Sequence, residues 1–314
     1  MEKQILYAGW FGNTIPTPQY VKDNLAFLES QPFDGLIVYL RNPAMTLNVT
    51  AGAVKPTPIT YDQIAAVLAP VKGLPFKHLK ANFALVQMSA PPDFFDSWEI
   101  TLQNFENLGK AVNDAGLRGI VIDNEQYTSK WGNYPDGAKY KDKSLREYKD
   151  FARFRGEEIM AALQAGFVGV EVMSLHGPYV SDPAAPVALG FPQWQTSNEL
   201  LGPFHEGFLK GQQAANVVHD GGELYTLRDI GEFNANAGYR RAHWSSVISF
   251  GVYDKPFGGK TMDSTILQAT LRNALEATDE YVWLYAEGRT YLKPAEAGGA
   301  TWDWVHAVRE ARIS

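Results

Sequence analysis

Short apolar runs rich in Val, Ile, Leu and aromatic residues alternate along this chain with longer segments whose apolar positions recur at helical spacing. The short runs cover residues 5–11, 35–40, 80–89, 119–123, 168–174, 216–219, 246–253 and 280–286, and Gly, Pro, Asn and Asp punctuate their ends. The helical pattern covers residues 17–31, 61–71, 98–115, 145–165, 198–215, 227–243, 264–277 and 301–311. Pro18 behind Thr17 marks a helix start, and Gly116 after Ala115 marks a helix end. Eight strand-then-helix units predict an α/β fold, a (β/α)8 TIM barrel with residues 1–314 as one domain. The competing doubly wound sheet carries a glycine-rich phosphate turn after its first strand. Gly12-Asn13-Thr14-Ile15-Pro16 stands in that place and lacks the fingerprint. Residues 216–219 give the weakest strand signal, because only Val217-Val218 is strand-like.

Composition narrows the function classes. With 314 residues, 45% hydrophobic and 20% charged, the chain reads as an ordinary globular protein. No apolar run approaches the roughly 20 residues that span a bilayer, so no membrane partner is expected. A net charge of −7 without a basic cluster beyond Arg240-Arg241 argues against a nucleic-acid partner. The lysines and arginines of residues 139–155 are interleaved with Asp142, Glu147 and Asp150, the pattern of a solvated helix face. Cysteine is absent, which excludes disulfides, thiolate metal sites and a cysteine nucleophile. Met1-Glu2-Lys3-Gln4 leads at once into a strand-like run, so the protein is expected to be cytoplasmic, or exported with its leader removed.

The candidate chemistry lies where strands end. In a parallel barrel the carboxyl ends of the strands form the catalytic mouth. The run Gly119-Ile120-Val121-Ile122 passes directly into Asp123-Asn124-Glu125-Gln126-Tyr127, two carboxylates flanking an amide. The other ends offer Trp10, Tyr39, Arg41, His176, Asp220, Glu223, Tyr225, Tyr253, Asp254, Glu287 and Arg289. Five of the eight strands thus present an acid or a histidine, a concentration of charge that a purely structural barrel has no reason to build. Aromatic side chains near these ends, namely Trp10, Tyr39, Tyr127, Trp131, Tyr225, Tyr253 and Tyr285, suit the flat C–H faces of a sugar ring. Two long loops, residues 127–140 and the proline-containing residues 177–193, fall on the same side of the barrel. Several carboxylates, aromatic platforms and no thiols point to glycoside hydrolysis of a carbohydrate substrate, with no cofactor and no metal.

The strand-four ending resembles that of two groups of barrel glycoside hydrolases. Asp123-x-Glu125 is similar to the close of the Asp-x-Asp-x-Glu motif of the chitinase-like family 18, although Val121 and Arg118 occupy the places of that family's earlier aspartates. Asn124-Glu125 is similar to the Asn-Glu pair of the retaining clan A, whose second glutamate ends strand seven, where this chain has Tyr253-Asp254. Both resemblances imply Glu125 as the proton donor. For the second carboxylate Asp123 ranks first, followed by Glu223, Glu287 and Asp254. Asn124, Arg41, His176 and the aromatics above are the expected sugar contacts. A metal-dependent sugar isomerase or lyase using Glu125, His176, Asp220, Glu223 and Glu287 is the alternative reading, and a non-catalytic sugar-binding barrel is the third.

Overall fold

The computed structural model describes residues 3–126, 129–191 and 198–312. Eight parallel strands form the wall: β1 (Gln4–Ala8), β2 (Gly35–Tyr39), β3 (Phe83–Gln87), β4 (Gly119–Asp123), β5 (Glu171–Ser174), β6 (Val217–Asp220), β7 and β8 (Tyr281–Tyr285). β7 comes in two pieces, Val247–Ile248 against β6 and Phe250–Tyr253 against β8, with Ser249 between them. β8 pairs in turn with β1, Leu6 lying opposite Trp283, so the sheet closes into a ring. A helix follows each strand: α1 (Pro18–Asp23), α2 (Tyr61–Leu68), α3 (Glu99–Asp114), α4 (Leu145–Gly166), α5 (Leu201–Gly211), α6 (Ile230–His243), α7 (Ser264–Ala277) and α8 (Trp302–Glu310). This is the (β/α)8 barrel that the alternation predicts. Among the described residues no helix is long and apolar enough to cross a membrane.

The departures from the predicted boundaries have local causes. The helix expected over residues 17–31 breaks at Asn24, whose side-chain amide and backbone N–H both bond to Tyr20 O and close the helix there. Leu25–Leu28 then forms a separate turn of helix. The strand expected from residue 80 begins at Phe83, because the Asn82 amide is engaged with Leu36 N and Leu79 O. The helix expected over residues 198–215 runs only from Leu201 to Gly211, where Gln212 turns to an extended conformation. An antiparallel pair, Arg41–Asn42 with Leu47–Asn48, is too short to leave a periodic signature. The weak sixth strand is real and carries His219 and Asp220 as well.

Successive strand residues face opposite sides of the sheet. Leu6, Ile37, Leu85, Val121, Met173 and Trp283 point into the barrel and form one buried cluster. Ile5, Val38, Val86, Ile122, Val172 and Val282 point outward and join the larger cluster shared with the helices. Both faces of the sheet are therefore apolar, which is why the strands read as continuous hydrophobic runs. The barrel floor is polar at one point. Glu171 accepts from Arg118 Nε at 2.6 Å and from the Tyr281 hydroxyl at 3.0 Å, with His219 Nε2 at 3.4 Å.

A second buried charge pair sits behind β6. Arg240, fully buried on α6, donates from one amino nitrogen to Asp220 Oδ1 at 3.0 Å and from the other to Ser249 O at 2.8 Å. The guanidinium also lies 4.5 Å from the centre of the Phe250 ring. Burial pushes the Asp220 carboxyl up from its ordinary range, and Arg240 opposes that shift. Removing one member leaves the other as an uncompensated buried charge, which costs about 3–5 kcal/mol. Arg240→Met is therefore expected to lower the unfolding free energy by about that amount. Urea denaturation of the variant against the parent protein measures it.

Candidate active site

Strand parity carries past the ends of β4 and β7 and sorts which of their side chains reach the mouth. On β4, Val121 and Asp123 face inward, and Glu125 continues on the same side. Asn124 has the opposite parity and is fully buried. Its amide donates to His176 O at 2.8 Å and accepts from His176 N at 2.9 Å, tying the end of β4 to the end of β5. The amide expected to touch a sugar is thus spent on the backbone. Asp254 behaves likewise after β7: it accepts from Gly288 N at 2.6 Å and Arg289 N at 2.8 Å, and burial pushes it up to about 6. Asp220 is taken by Arg240, as described above.

Two hollows adjoin at Glu125. The first, about 580 Å³, has an aromatic wall that includes Trp10, Tyr225, Tyr253 and Tyr285, with Glu223 and Glu287 among them. Tyr285 lies nearly parallel to Tyr225, at 10° and 6.1 Å between ring centres, and 4.6 Å from Trp10. The second, about 480 Å³, is polar and is walled by Gln126, Lys130, Asn133, Asp136, His176 and Asn198. Glu125 lines both. Most of the polar wall comes from the long loop after β4, and Gly190 and Phe191 of the aromatic hollow come from the loop after β5. Both loops stood out in the sequence by their length.

Three functional groups converge at the junction. An oxygen of Glu125, a ring nitrogen of His176 and an oxygen of Glu223 lie within 4.8 Å of one another. His176 Nε2 is 3.4 Å from Glu223 Oε2. The geometry behind Glu223 is rigid. It closes the turn Asp220-Gly221-Gly222-Glu223, in which Gly221 N donates to Ser174 O and Glu223 N to Leu175 O. Gly222 has φ +59°, and a Cβ there would lie 2.4 Å from Ser249 O and 2.5 Å from Arg240. Trp283 Nε1 fixes Gly221 O at 2.7 Å. A Cβ on Gly177 would meet the Asp220 carboxylate at 2.2 Å, so glycine is what lets the β5 loop pass over this turn.

The electrostatics follow from burial and crowding. Burial, then repulsion from Glu125 and Asp123, holds the Glu223 carboxyl well above the usual range. Burial pushes His176 down to about 3, so its imidazole is neutral. Glu287 is instead held below its ordinary value by the Tyr253 hydroxyl and by Lys255 at 3.0 Å. Asp123, fully buried, lies beneath the pair and accepts from Gln87 Nε2 and from Glu125 N, each at 3.2 Å.

Of the remaining expected site residues, Trp131 is packed between Phe94 and Phe204, at 5.9 and 5.2 Å, and belongs to the core. Arg41 is exposed on the short antiparallel pair. Tyr39 receives a hydrogen bond from Asn48 at 3.0 Å. Tyr127 lies outside the described residues. The sequence reading did not single out Phe11, Phe191, Leu224 or Phe257 on the aromatic side, or Arg240 behind Glu223.

No protein-family model matches this chain, and neither does any curated protein. Solved structures do resemble it. A GH18 chitinase from Pseudoalteromonas aurantia aligns over 98% of this chain and 99% of its own, with 13% identity and a TM-score of 0.51. A GH5-4 broad-specificity endoglucanase from an uncultured bacterium aligns over 98% and 90%, with 10% identity and a TM-score of 0.54. A glycoside hydrolase family 5 enzyme from Prevotella bryantii B14 aligns over 99% and 96%, with 10% identity and a TM-score of 0.53. At these identities the likeness speaks for the barrel fold, which this chain shares with glycoside hydrolases.

Proposed function

We propose that this protein is a glycoside hydrolase that acts through the carboxyl groups of Glu125 and Glu223. The observation that carries the reading is the approach of these two groups to within 4.8 Å where an aromatic hollow meets a polar one. The chitinase and the family 5 enzymes that share the barrel support the same class of chemistry. Such an arrangement suits a sugar stacked on the tyrosine wall with its leaving group directed into the polar hollow.

Roles follow from position. Glu125 borders both hollows and so lies where a glycosidic oxygen spanning them would sit, which makes it the proton donor. Glu223 faces the sugar carbon from the aromatic side. In the free protein the pair is crowded and Glu223 holds a proton beyond the ordinary carboxylate range. Glu125 enters the reaction as the acid and passes its proton to the leaving oxygen as the glycosidic bond breaks, while the ionised Glu223 bonds to the sugar carbon; water, giving a proton back to Glu125, then breaks that bond and frees Glu223. Asp123, ranked first as the partner on sequence spacing, is the positioning group: it holds the Glu125 backbone and keeps negative charge beneath the pair.

Glu125→Gln is expected to lower kcat by about 10²–10⁴-fold while folding is retained. Glu223→Gln is expected to lose comparable activity. Aryl glycosides with good leaving groups separate the two variants, because they bypass the acid and restore only the Glu125 variant. Wild-type activity against both would remove this pair from the mechanism. A short carboxyl separation belongs to double displacement, at about 5–5.5 Å, rather than to inversion, at about 6.5–9.5 Å. Proton NMR of the first-formed product is therefore expected to show retention at the anomeric carbon. The screen that comes first sets metal-stripped protein against aryl glycosides and polysaccharides with and without EDTA. Hydrolysis that persists in EDTA sustains the carboxylate mechanism, and hydrolysis that needs a restored divalent ion replaces it with a metal-dependent one.

A further inference from the structure

The mouth of the barrel holds a nitrogen donor and two oxygen donors in an arrangement that a proton pair does not require. His176 is almost fully buried, and both its backbone N–H and its C=O are clamped by Asn124, with Ser174 Oγ adding a third bond at 3.0 Å. Glu223 is held by the rigid turn in front of Arg240, and its Oε2 is shut off from solvent. These two anchors set the 3.4 Å between His176 Nε2 and Glu223 Oε2. Around a tetrahedral zinc ion, with bonds of about 2.0–2.2 Å, neighbouring ligand atoms lie about 3.3–3.6 Å apart. Glu125 brings a third ligand atom from a more open position. The nearby lysines are engaged elsewhere, Lys255 with Glu287 at 3.0 Å and Lys130 with Asp136 at 2.9 Å. The charged neighbours that act most on Glu223 are carboxyl groups, those of Glu125 and Asp123.

We propose that Glu125, His176 and Glu223 form a binding site for a zinc-class divalent cation, and that an ion held there switches hydrolysis off by occupying both carboxylates. Mixed imidazole and carboxylate donors select zinc, nickel or copper over magnesium or calcium. Three protein ligands leave a fourth position for water. The clamp on His176 acts as outer-shell support of the kind that fixes a ring for ligation. The site stands on geometry alone, whereas the inhibitory consequence rests on the glycosidase reading above.

The test is a calorimetric titration of the metal-stripped full chain with zinc chloride, made in parallel on His176→Gln, Glu223→Gln and Glu171→Gln. Binding of one equivalent, weakened about tenfold or more in the first two variants and unchanged in the third, is the expected result. Glu171→Gln probes the other cluster of this kind, Glu171 with His219 and Glu280 on the barrel floor. Absence of binding, or an affinity that Glu223→Gln leaves unchanged, overturns the site. Zinc should also stop hydrolysis and EDTA should restore it. Stripped protein that is inactive until zinc is added overturns both the inhibition and the carboxylate mechanism. A protein that binds zinc at these residues but hydrolyses no glycoside sustains the site and sinks only the glycosidase reading. Loss of hydrolysis in Glu125→Gln without any zinc binding does the reverse.

Discussion

Arg240 reaches from α6 into the back of the barrel wall, and the position of Glu223 depends on what its guanidinium holds there. One amino group fixes Asp220 at the end of β6, and the other fixes Ser249 at the break in β7. The turn between Asp220 and Glu223 is then determined by close packing: Gly222 adopts a left-handed conformation directly against that guanidinium, and Gly177 passes over the Asp220 carboxylate. A cation buried at such a point is costly unless an opposite charge offsets it, and here Asp220 does so. The same contact thus closes the ring between β6 and β7 and aims a carboxyl group into its mouth.

The mouth in turn crowds carboxyl groups together. Asp123, Glu125 and Glu223 come together beside a neutral imidazole, while Glu287 has its own partners in Tyr253 and Lys255. The barrel brings this about because adjacent strands deliver their carboxyl ends to one ring, beside aromatic side chains at the ends of β1, β7 and β8. In that setting repulsion is not screened away. On the proposed reading it is relieved by a proton, by a substrate that develops positive charge, or by a metal ion, all drawing on the same oxygens.

Much of the site was legible in the sequence once the eightfold alternation was seen. Asp123, Glu125, Tyr225, Tyr253, Tyr285 and Glu287 were placed at strand ends by pattern, and the structure sets them at or beneath the mouth. Trp283 is buried in the barrel, and Tyr285, two residues on, lines the pocket wall. The residues that went elsewhere share a cause. Asn124, Asp220 and Asp254 are polar strand-end residues of the outward parity, so their side chains meet neighbouring backbone or a helix instead of the cavity. His176 shares that parity and still reaches the mouth, because the chain after Ser174 turns over the end of β6. Trp131 carried no such signal, because its loop folds back onto Phe94 and Phe204.

The sequence by itself determined the barrel, the strands that supply its mouth and the presence of an acid pair on the fourth, since these follow from local periodicity and from chemistry carried within a few residues. Tertiary structure alone brings Glu223, 98 positions along the chain, to Glu125 at the cavity, while Asp123, two positions away, lies beneath. The reason is geometric. Neighbours in sequence on one strand end are stacked along it, one beneath the other, whereas groups that face each other across a cavity come from different strands and meet only when the ring has closed.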